Sequence, residues 1–192
     1  MICASISLFK HNHQSAKLHH NRSHLSTILH TTLEMAITPV QINESKLASC
    51  ETSIGYIFKD KLLLLQALNN SGEPIYHAGA WHKVEKNDAL AILGDARVDA
   101  VLCRWWWDKT LVHVKGHWDQ LRQATAGNAA LLLLGQKFQL DRCVICNGGT
   151  TKVSDKMVAT AVEAVLGAVY LDGGEAALEI VMKELKFDEQ MR

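Results

Sequence analysis

The chain has 192 residues, 20 Lys plus Arg against 20 Asp plus Glu, and is 48% hydrophobic. It is long enough to bury a full core, and zero net charge argues against a surface that is electropositive throughout. Two prolines and 12 glycines exclude a collagenous or low-complexity chain, and the uncharged stretch from Gln123 to Gly135 is too short to span a bilayer. Nothing in the pattern reads as a membrane protein.

Five scattered cysteines (Cys3, Cys50, Cys103, Cys143 and Cys146) do not make the even, dense set of a secreted disulfide scaffold. They read as reduced thiols of an intracellular protein, in cytoplasm or nucleus. A mitochondrial destination is the alternative, because the first 33 residues lack acids and are Ser-bearing, though poor in Arg. Those residues hold six of the ten histidines without apolar period, so residues 1–51 are expected to be a flexible His/Ser-rich leader. Unpatterned histidines in such a tail read as solvated rather than metal-binding. The functional chain beginning at Met35 is a further reading of the same composition.

Residues 52–192 are expected to form the folded domain. A helix is predicted from Leu62 to Leu68, ended by Asn69-Asn70-Ser71-Gly72. Gly72 to Lys83 reads as a loop. A long helix is predicted from Val84 to Lys109, with Leu90, Leu93, Val98, Val101, Leu102 and Trp105 on one broad apolar face. Another follows from Trp118 to Phe138, and a further one from Ser154 to Tyr170, capped by Ser154 or Asp155. Gly173-Gly174 stops it before a last helix from Glu175 to Lys186. Strand-like alternation is scarce, so the fold class is all-α.

Asp88, Asp95 and Asp99 recur at offsets of seven and four and so share one side of the long helix. Glu163 is the lone acid in the apolar run from Val158 to Ala168. Such an acid sits at a wet edge or is buried with a partner. On periodicity alone, solvated or structurally paired acids account for both Asp95 and Glu163. Trp105, Trp106 and Trp107 span too much of a helix to face one core together. Cys143-Val144-Ile145-Cys146 is a single Cys-x-x-Cys that His113 and His117 would have to complete as a zinc site, and ordinary buried thiols are the simpler account.

The order of segments adds to this. Ile54-Gly55-Tyr56-Ile57-Phe58-Lys59-Asp60-Lys61-Leu62-Leu63 with Gln66-Ala67-Leu68 resembles the opening helix of the ribonuclease III domain. Asn87-Asp88-Ala89-Leu90-Ala91-Ile92-Leu93-Gly94-Asp95-Ala96 is similar to its signature helix, usually Asn-Glu-Arg-Leu-Glu-Phe-Leu-Gly-Asp-Ala. Leu121-Arg122 with Asn128 resembles the middle helix, and Thr160 to Gly174 the closing motif, whose usual form is Asp-x-x-Glu-Ala-x-x-Gly-Ala-x-Tyr-Leu-Asp.

This resemblance implies a homodimeric, Mg²⁺-dependent (or Mn²⁺-dependent) endoribonuclease of double-stranded RNA, in which four carboxylates on two helices hold the metal. Asp95 and Glu163 match catalytic, metal-holding acids. The signature's second Glu falls on Ala91, and the Asp three residues before Glu163 falls on Thr160, leaving its hydroxyl as a weak third metal donor. Asp99 is expected in a structural ion pair, with Lys156 near the acids. Ile92 takes the position of the Phe that plugs the dimer partner. The expectation is therefore weak metal affinity and slow cleavage, without an appended RNA-binding module. From residue 52 on, 16 basic against 17 acidic side chains also predict weak intrinsic affinity for RNA. The alternative is an inactive scaffold of the same fold within a ribonucleoprotein.

Overall fold

The computed structural model describes residues 40–41 and 44–189, and the expected flexible leader lies largely outside them. The first helix, α1 (Glu44–Ile54), buries Leu47, Cys50 and Ile54 along one stripe. The expected border between residues 51 and 52 therefore falls inside a helix that belongs to the core. Its three anchors stand among polar residues, which is why its amphipathic signal is faint. α2 (Lys61–Leu68) starts where the Asp60 carboxylate accepts the Leu62 N–H at 2.9 Å, and it buries Leu64, Leu65, Ala67 and Leu68.

The stretch expected to be a loop contains a small hairpin, β2 (Ile75–His77) and β3 (Ala80–His82), with Tyr76 opposite Trp81. Ala78 and Gly79 both take positive φ at the two-residue turn, the geometry that suits the twist of a tight hairpin. β1 (Val40–Gln41) pairs in parallel with β2, giving the order β1-β2-β3. The helical architecture thus carries a three-stranded ribbon that its sequence did not announce.

α3 spans Asp88–Lys109 and begins four residues later than expected. The reason is local: the buried Asn69 amide donates to the Val84 and Glu85 carbonyls, which are thereby drawn out of helical pairing. The predicted helix from 118 to 138 is two helices, α4 (Lys115–Ala126) and α5 (Asn128–Lys137), broken at Gly127. There ψ is 155°, and a Cβ would press on the Gln123 carbonyl and side chain. A 3-10 turn at Leu140–Arg142 leads to α6 (Asp155–Glu184), whose first turn is capped by Ser154 accepting the Met157 N–H. Gly174 (φ 75°, ψ −174°) interrupts α6 where the Gly-Gly stop was expected, and helix resumes beyond it.

α6 is the spine of the fold, packed by α3, α5 and α2. Its length and composition alone would let it cross a membrane, but over half of its apolar window is buried by these neighbours. Asp172 ties its far end to the N-terminal helices: its carboxylate accepts the Tyr56 O–H at 2.7 Å and the Lys59 and Asp60 N–H groups at 3.0 and 2.9 Å. Burial raises the Tyr56 phenol, with the Asp172 hydrogen bond adding to it, to about 12.

Candidate active site

The site begins with two glycines. Gly94 on α3 lies against the main chain of Glu163, and Gly167 on α6 lies against the main chain of Leu90. A Cβ on either would overlap a backbone oxygen, so these helices meet main chain to main chain. Arg97 on α3 also lies over the Tyr170 ring of α6, 4.3 Å from its centroid, a favourable cation–π contact beside the crossing. Because Asp95 follows Gly94 and Glu163 is itself the contact residue, the crossing brings these two acids together.

Their electrostatics follow from that placement. Glu163 is half-buried, and no described side chain donates a hydrogen bond to its carboxylate. Burial first, and the Asp95 charge second, push it up to about 6, against a smaller downward pull from Arg122. Arg122 on α4 reaches across to α3: its Nε donates to Asp99 Oδ2 at 2.6 Å and its Nη2 to Asp95 Oδ1 at 3.4 Å. Asp99 is therefore the structural ion-pair residue expected of it. Burial still pushes its carboxyl up by more than Arg122 draws it down, and its Oδ1 is buried without a partner.

The cation at the acids is Arg122, a residue read only as part of a motif, and not Lys156, which is exposed. Its signal was present as the single arginine on the helix facing α3, but the 27-residue gap to Asp95 concealed the contact. Ala91 is a core residue and Thr160 is half-buried, so neither position supplies a carboxylate. Asp88 is exposed at the start of α3. Among the described residues no group of three or more His, Cys, Asp or Glu side chains forms a metal cage.

What remains is a pair of acids, one of them raised by burial and by the charge of the other. Mg²⁺ is commonly held by one or two carboxylates with water and substrate oxygens completing its octahedron. Asp95 and Glu163 fit one such ion, with the Thr160 hydroxyl as a weak neighbour, and do not fit a four-carboxylate centre.

The two histidines that would complete a zinc site are engaged by tryptophans instead. His113 stacks on Trp107 at 3.8 Å between centroids, and His117 Nδ1 accepts the Trp106 indole N–H at 3.3 Å. Trp105 and Trp106 are buried and Trp107 is 59% exposed, so the three tryptophans do divide between core and surface.

The sequence model for ribonuclease-III-like proteins matches residues 60–188, which contain both helices of the crossing. The chain belongs to the ribonuclease-III-like family. Ribonuclease 3 of Rhodopirellula baltica is 30% identical over 145 residues, covering 74% of this chain and 51% of that protein. Ribonuclease 3 of Colwellia psychrerythraea is 30% identical over 137 residues, 69% of this chain and 48% of the relative. The chain thus spans about half the length of these relatives. The solved nuclease domain of ribonuclease III from Campylobacter jejuni, in a structure concerned with flexibility in a region involved in dimer formation, superposes with a TM-score of 0.60 at 26% identity. That match covers 74% of this chain and 96% of the nuclease domain. This ribonuclease-III-like chain therefore carries the nuclease-domain fold, with Asp95 and Glu163 at its helix crossing and neutral side chains at Ala91 and Thr160.

Proposed function

We propose that the protein processes double-stranded RNA by slow, Mg²⁺-dependent phosphodiester hydrolysis, with Asp95 and Glu163 as its catalytic, metal-holding pair. The observation that carries this reading is the main-chain crossing of α3 and α6, which brings the two acids together in a nuclease-domain fold. A bound Mg²⁺ or Mn²⁺ supplies an activated water and neutralises charge on a phosphodiester. The chain's own part is positional and electrostatic. Asp95 is held by Arg122, which is in turn anchored on Asp99. Glu163, pushed up to about 6, is mostly ionised in neutral and mildly alkaline solution. Ile92, 74% exposed on the signature helix, supports a homodimer through an apolar contact with a second copy. A near-neutral folded portion predicts weak intrinsic affinity for duplex RNA.

A second reading is favoured by a specific observation: Ala91 and Thr160 leave half of the acids, and Arg122 already offsets part of their charge. On that reading the fold is an inactive scaffold in a ribonucleoprotein. Purified protein, incubated with duplex RNA and Mg²⁺ or Mn²⁺, distinguishes the two. Slow cleavage lost in Asp95→Ala and in Glu163→Ala supports the nuclease. Absence of cleavage together with absence of Mg²⁺ binding supports the scaffold.

A further inference from the structure

Two of the cysteines, carried by elements other than those of Asp95 and Glu163, form a second site. Cys50 on α1 and Cys143 after the 3-10 turn are both core residues, 0% and 3% exposed. The Cys143 thiol donates to the Lys46 carbonyl at 3.7 Å. Helical pairing assigns that carbonyl to the N–H of Cys50, four residues on, and helix side chains lean toward the N-terminus. The Cys50 side chain therefore leans over the turn that Cys143 touches, which sets the two buried thiols side by side.

Lys46 completes the arrangement. Its ammonium donates to the Val144 carbonyl at 3.3 Å, within the segment that runs from Cys143 to Cys146. The contact with Cys50 first, and the Lys46 charge after it, draw the Cys143 thiol down against burial. With the Lys46 ammonium held against the segment that carries Cys143, Cys143 is the better placed of the two to attack and Cys50 to resolve.

We propose that Cys50 and Cys143 are a redox dithiol that closes to a disulfide on reaction with a low-molecular-weight disulfide such as glutathione disulfide. The Cys143 thiolate attacks one glutathione sulfur, forming a mixed disulfide and expelling one glutathione thiolate. Cys50, on losing its proton, attacks the Cys143 sulfur and expels the second glutathione. Two protein thiols are oxidised to one disulfide, one glutathione disulfide is reduced to two thiols, and the protein's two protons end on the glutathiones. Because both sulfurs are buried, the exchange proceeds through local opening of α1. Closure ties α1 to the corner after the 3-10 turn and rings on the order of 90 residues, where cross-link stabilisation is large.

The test equilibrates the full chain in glutathione buffers of stepped ratio, quenches it in acid, alkylates free thiols and maps tryptic peptides by mass. Cys50 falls in the peptide 47–59, and Cys143 and Cys146 fall together in 143–152. The expected product is a linked pair of these peptides, retained in Cys146→Ser and lost in Cys143→Ser and Cys50→Ala. The oxidised protein should melt roughly 5–10 °C higher. A Cys143–Cys146 disulfide inside one peptide, adducts confined to Cys103 and Cys146, or thiols that stay fully alkylatable at every ratio would each overturn the proposal. The wild-type map decides this even where the Cys50 variant folds poorly.

Discussion

Glu163→Gln should stabilise the metal-free protein at neutral pH, which makes the electrostatics of the site measurable without an RNA substrate. The folded-state carboxyl sits at about 6, against an ordinary value of 4.5. A raised carboxyl binds its proton more tightly in the folded state, so its penalty is absent below about pH 4.5. The penalty grows as pH rises toward 6 and is complete above it. The full shift would correspond to about 2 kcal/mol, and screening of a half-exposed group reduces this to about 1 kcal/mol. For a domain of this size that is about 2–4 °C in Tm. Thermal melts in EDTA at pH 4, 5, 6 and 7.5 should therefore coincide for wild type and Glu163→Gln at pH 4 and diverge by that amount at pH 7.5, the variant being the more stable. Adding Mg²⁺ at pH 7.5 should raise the wild-type Tm and leave the variant nearly unmoved. Parallel curves across the whole pH range, or a variant less stable at pH 7.5 than at pH 4 relative to wild type, would refute the desolvated-acid account.

Three other outcomes follow from the same contacts. Gly94→Ala should cost about 1–3 kcal/mol, because its methyl meets the main chain of Glu163 and outweighs the roughly 1 kcal/mol of helix propensity gained; denaturant melts measure it. Arg122→Ala should lower stability by about 1–2 kcal/mol at pH 7.5 in denaturant melts, and it should move the Glu163 titration seen by carboxyl NMR further upward. Asp172→Asn should weaken the tie between α6 and the N-terminal helices by about 1–2 kcal/mol, and one of the three tyrosines should return from about 12 toward 10 in an absorbance titration.

Most of the helical frame was legible in the sequence because motif and period coincide there. The end of α3 at Lys109, the Ser154 cap and the interruption at Gly174 each follow from local chemistry. The misses have tertiary causes. α3 starts late because Asn69, far back in the chain, takes the carbonyls that would have extended it. The hairpin depends on Ala78 accepting a left-handed turn, a conformation composition alone does not suggest. α1 was hidden because its stripe of Leu47, Cys50 and Ile54 is short and set among charges. In the candidate site, the motifs single out Asp95 and Glu163, and the packing of α4 on α3 is what brings Arg122 to Asp95. The Cys-x-x-Cys spacing drew attention to Cys146, yet the thiol that meets Cys143 is Cys50, from the other end of the domain.

The glycine crossing has a consequence for how such a site can change. Where helix separation is set by side chains, altering one near the acids would alter the distance between them. Here the spacer is peptide backbone, which is the same whatever residues surround it. The frame and its chemical fittings are therefore decoupled: groups can be removed or refitted one at a time while Asp95 and Glu163 stay in register. Thr160→Asp, on the half-buried face of α6, is the natural first refit. Its added charge should tighten Mg²⁺ binding roughly tenfold or more with little change in the fold.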